Sequence, residues 1–155
     1  MAMDDRFQNM MHTLAKGLKD HNQAIVVAPP GTGKTTRIPP YLLENSEKIA
    51  GQIIVLEPRR VAARASASYI ASQMGERPGQ TIGYELRLEK KISKTTRINF
   101  QTEGLFLRRL IADPELQGVS LLIFDEFHER SLNADLCLAL ALDIQLNTLL
   151  YKFQE

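Results

Sequence analysis

The octapeptide Ala28-Pro29-Pro30-Gly31-Thr32-Gly33-Lys34-Thr35 carries the residue types needed to hold the phosphates of a nucleotide. Gly31 and Gly33 let the backbone turn its N–H groups toward phosphate oxygens. Lys34 supplies a point charge for β- and γ-phosphates, and Thr35 offers a hydroxyl to Mg²⁺. Pro30, Thr32 and Thr36 complete the nucleotide-binding set. The pattern is GxxxxGK[ST] with Ala28 in the first place. The competing reading is a Gly/Pro turn with a surface lysine. The flanks decide against it: the apolar run Ala24-Ile25-Val26-Val27 reads as a buried strand, and Lys34 to Ile38 opens a helix whose positive end faces the same anion.

A second group of chemical residues follows another apolar run. Val119 to Phe124 leads into Asp125-Glu126-Phe127-His128. Nucleotide sites lie at the carboxyl ends of parallel strands, where the phosphate loop also lies. Asp125 is placed to hold Mg²⁺ through water, because Mg²⁺ keeps much of its hydration shell. Glu126 is placed to contact the metal and to orient or deprotonate an attacking water. Acidic turn residues are common, so this pair gains its meaning from the phosphate loop. His128 belongs to no HExxH zinc site, since position 132 is Leu. It is either a surface residue or a sensor of the γ-phosphate.

The elements that must position these groups are legible as alternating patterns. Phe7, Met10, Met11, Leu14 and Leu18 predict an amphipathic helix to about Lys19. A strand is expected over 24–28, a helix from the phosphate loop to about Asn45, a strand over 52–56 and a helix over 61–74. Short strands are expected at 81–84 and 96–100 around a basic loop, Lys90 to Lys94. A helix over 102–111, the strand 119–124 and a helix over 131–146 complete the chain. This alternation predicts an α/β fold with a largely parallel sheet. The 155 residues suit one domain, with no boundary visible inside.

Net charge is +1, so nucleic-acid binding would have to rest on local basic clusters. The single Cys137 sits in an apolar helical pattern, which excludes a disulfide framework and fits a reducing compartment. The first residues, Met1 to Asp5, are acidic and lack the pattern of a signal peptide. No stretch approaches the ~18 apolar residues of a membrane span. A cytoplasmic protein with no membrane partner is expected.

Four segments in order resemble those of the superfamily 2 DEAH/RHA helicases. Ala28–Thr35 is similar to motif I, Glu57-Pro58-Arg59-Arg60-Val61-Ala62-Ala63-Arg64 to motif Ia, Thr102-Glu103-Gly104 to motif Ib, and Asp125–Leu132 to motif II. Phe127 in the third place of the DEAH-type box points to the HrpB-like branch of ATP-dependent RNA helicases. The resemblance covers about residues 10–145.

It implies a RecA-like P-loop NTPase fold, a three-layer sandwich, with ATP and Mg²⁺ as cofactors. Residues 1–20 would form a helix packed on the domain, 21–146 the ATP-binding domain, and 147–155 a divergent tail. Lys34, Glu126 and His128 match catalytic positions. Arg59, Arg60, Thr102 and Gly104 match the path of single-stranded RNA, with DNA as the alternative. A double arginine at the positive end of a helix is locally unfavourable, which favours an anionic partner; its alternative is a solvated helix start. Thr102 could equally be a plain N-cap. Tyr84 and Arg87 follow the family's GYxxR pattern, against the alternative of an edge strand with one outward arginine. Tyr69 stands where many relatives place an arginine that stacks on adenine, and its ring could stack too. Lys90, Lys91 and Lys94 read as a solvated loop.

The resemblance also implies parts this sequence does not show: motif III and a second RecA-like domain carrying arginine fingers. The sheet is therefore expected to be incomplete at the C-terminus unless the apolar stretch Thr148 to Phe153 replaces the motif III strand, between the motif I and motif II strands. Three functions follow as expectations. The first is the ATP-binding domain of an RNA helicase, inactive or nearly so in isolation. The second is a non-catalytic nucleotide- or RNA-binding remnant of a truncated helicase. The third is an unrelated P-loop ATPase that borrows an arginine from a neighbour in a ring.

Overall fold

The computed structural model describes residues 5–144 and 149–154. Helix α1, Asp5–His21, precedes strand β1, Gln23–Val27, and helix α2, Lys34–Asn45. Strand β2, Gln52–Glu57, and helix α3, Arg60–Gln73, follow, then strands β3, Ile82–Leu86, β4, Glu89–Lys91, and β5, Ile98–Thr102. Helix α4, Glu103–Ala112, strand β6, Val119–Phe124, a 3-10 turn at Phe127–Glu129, helix α5, Leu132–Asp143, and strand β7, Leu149–Gln154, complete the order.

The strands form one sheet in the order β1-β7-β6-β2-β5-β3-β4. Every neighbouring pair is parallel except β3 with β4. Alternation along the central strands divides the core in two. Ile53, Val55, Leu121 and Ile123 face one cluster with Phe7, Met11, Leu14 and Leu18 of α1 and Ile38 and Leu42 of α2. Ile54, Leu56, Leu122 and Phe124 face the other, with Phe106 and Leu110 of α4 and Ala134, Cys137 and Ala141 of α5. This is the expected three-layer α/β sandwich of RecA type.

The β7 backbone lies between β1 and β6, pairing Tyr151 with Ala24 on one side and Ile123 on the other. The strand expected over 148–153 is thus found at Leu149–Gln154, in the gap it was expected to fill; position 148 lies outside the described residues. So do residues 145 and 146 of the predicted last helix, which ends at Asp143.

Other expectations need correction. The first strand is not buried: it is the sheet edge, with Val26 inside but Ile25 and Val27 59% and 63% exposed. The basic loop is shorter than expected, because Lys90 and Lys91 belong to β4, paired antiparallel with Glu85 and Tyr84. Lys90 forms an ion pair with Glu85 at 3.1 Å. No described helix is long and apolar enough to cross a membrane.

Candidate functional site

Strand β1 ends at Val27 and α2 begins at Lys34, so the phosphate-type loop joins a strand's carboxyl end to a helix N-terminus. Gly31 and Gly33 both take a φ of +78°, which an L side chain resists. The loop is braced from within. Thr32 Oγ1 donates to the Pro29 carbonyl at 3.0 Å, and Thr36 Oγ1 to the Gly33 carbonyl at 3.4 Å. Lys34 is buried, and its Nζ donates to the Ala28 carbonyl at 2.7 Å. Its ammonium is therefore folded onto the first residue of the loop, with Pro30 and Gly31 exposed at the crown.

Strand β6 delivers Asp125 to the same edge of the sheet. Asp125 is 2% exposed, and its N–H donates to the Leu56 carbonyl at 3.0 Å. Its Oδ1 accepts from the Glu126 N–H at 3.0 Å, and its Oδ2 accepts from Thr35 Oγ1. The two chemical segments of the sequence are thus joined directly. Glu126 sits in left-handed backbone, φ 51° and ψ 36°, which turns the chain sharply out of the strand. Its Oε2 lies 3.2 Å from His128 Nε2. Burial, and then the Asp125 charge, raise the Glu126 carboxyl above its ordinary range, while His128 and Lys34 pull it back. Thr35, Asp125 and Glu126 together offer hard oxygen donors of the kind a small divalent cation prefers. Glu126, His128 and Glu129 each place one ligand-type atom within 4.8 Å of the others.

Glu57 was not singled out by motif reasoning as a member of this centre. It is 1% exposed, and burial, then Asp125, push its carboxyl up to about 10. Its Oε1 has no hydrogen-bond partner among the described residues. The contact follows from topology: β2 and β6 are parallel neighbours with Leu56 opposite Phe124, so the carboxylates that end the two strands meet, and no local sequence pattern signals it.

The predicted nucleic-acid residues divide. Arg60, Arg87, Thr102 and Gly104 line one open cleft of roughly 410 Å³, together with Arg108 and Asn133. Arg59 caps α3 and pairs with Glu129 at 2.9 Å. Tyr84 is placed differently from expectation: it is 5% exposed in the core, and its hydroxyl donates to Glu89, which also holds Arg64. Thr102 occupies the N-cap position of α4 without a side-chain capping bond, so capping does not occupy its hydroxyl. Tyr69 lies on α3 and is 53% exposed, leaving ring surface accessible.

A parallel sheet with a phosphate loop and a Thr-linked carboxylate pair at one edge defines a RecA-like P-loop domain. The chain belongs to the DEAD/DEAH box helicase family, whose match runs over residues 7–137. It is 50% identical over 123 residues to the ATP-dependent RNA helicase HrpB of Escherichia coli (strain K12), covering 79% of this chain and 15% of that protein. It is 43% identical over 131 residues to the ATP-dependent RNA helicase HrpA of Borreliella burgdorferi, covering 84% of this chain and 16% of that one. The crystal structure of the E. coli DExH-box NTPase HrpB superposes with a TM-score of 0.93 at 43% identity, over 99% of this chain and 20% of that chain. The chain therefore spans about a fifth or less of the length of these relatives.

Proposed function

We propose that this chain binds ATP with Mg²⁺ and contributes the nucleotide-binding wall of an RNA-dependent motor. The carrying observation is the hydrogen bond from Thr35 to Asp125, which unites loop and carboxylates in one site. On this reading Gly31 to Thr36 direct N–H and hydroxyl groups at the phosphates, and Lys34 exchanges its bond to Ala28 for a phosphate oxygen. Thr35, Asp125 and Glu126 hold the cation, which when bound neutralises phosphate charge. Glu126 orients the attacking water, its raised carboxyl favouring proton acceptance. His128, against Glu126, relays the state of the nucleotide to a second RecA-like domain. Tyr69 offers its ring to the base. The cleft lined by Arg60, Arg87, Thr102 and Gly104 takes a single-stranded RNA backbone, with Arg59 beside it. A reducing cytoplasm suits a chain whose single cysteine is buried.

Turnover in this family relies on arginines of a second domain, worth orders of magnitude in rate. The 155-residue chain is accordingly expected to bind nucleotide far better than it hydrolyses it. Titration with a fluorescent ATP analogue, with Mg²⁺ and with EDTA, tests the reading. Lys34→Ala should weaken Mg²⁺-dependent binding by about 10- to 100-fold, as loss of a charge-assisted phosphate contact implies. Equal binding by both proteins would defeat the nucleotide assignment.

A further inference from the structure

A phosphate loop cradles an anion when its peptide N–H groups face the ligand and its carbonyls face away. In a trans peptide the C=O and the following N–H point in opposite directions, so a donor that holds a carbonyl also aims the next N–H. Arg37, the fourth residue of α2 and outside the GxxxxGK[ST] pattern, is such a donor twice. Its backbone N–H donates to the Gly33 carbonyl at 2.9 Å, and its Nη1 donates to the Thr32 carbonyl at 3.5 Å. Those carbonyls belong to the peptides that carry the Lys34 and Gly33 N–H groups. The arginine stem also lies against the turn: a Cβ on Gly33 would sit 2.8 Å from Arg37 Cδ and 3.4 Å from its Cγ.

A long cation has many rotamers and does not hold a carbonyl by itself. Helix α1 supplies the restraint. The Arg37 guanidinium carbon lies over the Phe7 ring, 3.9 Å from its centroid. Phe7 is 7% exposed and anchored in the core cluster that also holds Ile38 and Leu42 of α2. Among the described residues no carboxylate pairs with Arg37, so the ring rather than an ion pair fixes its head. The Thr32 carbonyl is thereby turned toward this stack, and the Gly33 N–H away from it. Such support matters because β1, which carries the loop, is an edge strand whose one strand neighbour among the described residues is β7.

Building on the nucleotide-binding reading above, we infer that Arg37 is a positioning residue of the phosphate loop and that Phe7 sets it. The ring holds the guanidinium, the guanidinium holds the 32–33 peptide, and that peptide presents the Gly33 N–H to a phosphate before any ligand arrives. Helix α1 is then a working part of the nucleotide site, although none of its residues has to touch the ligand. The contribution is to the polyphosphate and is indifferent to the base.

The test is titration of the 155-residue chain with a fluorescent ATP analogue and Mg²⁺, repeated as displacement of that analogue by inorganic tripolyphosphate. Phe7→Leu keeps an apolar side chain and removes the ring face. It should weaken binding of both ligands about 3- to 10-fold, the range for a partly desolvated cation–π contact. Arg37→Met keeps the stem, removes the fork and should give a loss of the same size. The double variant should bind no worse than Arg37→Met alone, because the two residues act through one contact. Leu18→Val is the control: Leu18 is buried in the same cluster, eleven residues along α1 and so about 16 Å from Phe7. It should lower the urea midpoint, as Phe7→Leu does, yet bind as the wild type does. Arg37→Met, at a half-buried position, keeps the role falsifiable if Phe7→Leu does not fold, since wild-type affinity there overturns it. If Lys34→Ala is impaired while Phe7→Leu and Arg37→Met match the wild type, the positioning role is wrong and the nucleotide reading survives. A loss in Arg37→Met with none in Phe7→Leu would overturn it in favour of a direct phosphate contact. A loss confined to the ATP analogue would do so in favour of a base contact, and equal losses in Phe7→Leu and Leu18→Val in favour of a loosened core. A wild type that binds neither ligand removes the nucleotide reading itself.

Discussion

Thr35 and Asp125, ninety positions apart in the chain, share a hydrogen bond in which the threonine hydroxyl donates to the carboxylate. Thr35 is the last residue of the phosphate loop and the second of α2, and Asp125 follows the last residue of β6. The bond fixes the separation of the two halves of the site before any ligand arrives. It also gives a buried carboxylate a partner, which such a group requires.

Thr35→Val keeps the side-chain shape and removes the donor. Asp125 then retains the Glu126 N–H as a partner but loses the hydroxyl. The expected result is a loss of about 1–3 kcal/mol of stability, the cost of an unsatisfied buried acceptor. Mg²⁺ should also cease to strengthen binding of a fluorescent ATP analogue, while binding in EDTA changes little. Unchanged enhancement by Mg²⁺ would show that Thr35 takes no part in holding the cation.

Glu57 makes the stability of the metal-free protein depend on pH. Its carboxyl is raised from 4.5 to about 10 in the folded state, first by burial and then by Asp125. Between those values the native state holds a proton that the unfolded chain has released, so stability falls as pH rises through that window. The slope from one such group approaches about 1.4 kcal/mol per pH unit. Glu57→Gln removes the titration and preserves the shape. In EDTA it should raise the urea midpoint at pH 8 by more than at pH 5, corresponding to about 3 kcal/mol at neutral pH. A parallel pH profile for the two proteins would mean that Glu57 is charged in the native state.

The contrast between Glu57 and Asp125 shows what was legible in the sequence. Local patterns identified the phosphate loop, the Asp-Glu pair and every described helix, because glycines, caps and periodicity act within a few residues. The meeting of Glu57 with Asp125 depends on which strands are neighbours, and no local pattern states that. Tyr84 failed for a related reason. Its motif neighbours Gly83 and Arg87 suggested a surface role, but strand alternation turns its ring inward, where Glu89 of β4 takes the hydroxyl. Arg87, beyond the last residue of β3, escapes that alternation and reaches the cleft. Ile25 and Val27 misled because an apolar run reads as buried whether or not a layer covers it.

Gly83 marks where β3 and β4 come too close for a side chain. A Cβ there would collide with the Lys91 carbonyl oxygen and lie 2.9 Å from Ile92 Cγ2. Backbone cannot swing aside as a side-chain tip can, so Gly83→Ala must part the two strands. The expected cost is about 1–3 kcal/mol, in the range for overpacking. Because β4 carries Glu89, the bonds to Tyr84 and Arg64 should loosen together, which hydrogen exchange at Tyr84 to Leu86 would reveal. A variant with wild-type stability would mean that the hairpin yields at little cost.

The β7 backbone should behave as an internal strand, since it has β1 on one side and β6 on the other. Tyr151 pairs with both Ala24 and Ile123, so a proline there removes a ladder donor from the middle of the sheet. Tyr151→Pro is expected to cost about 3 kcal/mol or more. Tyr151→Ala removes the side chain alone, so the difference between the two variants isolates the backbone term. Urea denaturation of both, with amide exchange at residues 23–27 and 119–124, distinguishes the outcomes. A strand that fills the gap predicts a lower midpoint for the proline variant than for alanine, with faster exchange in β1 and β6 together. Equal midpoints for the two variants would mean that β1 and β6 do not depend on β7. The phosphate loop would then hang from an edge held only by α1, and the nucleotide affinity of the proline variant would match that of the wild type.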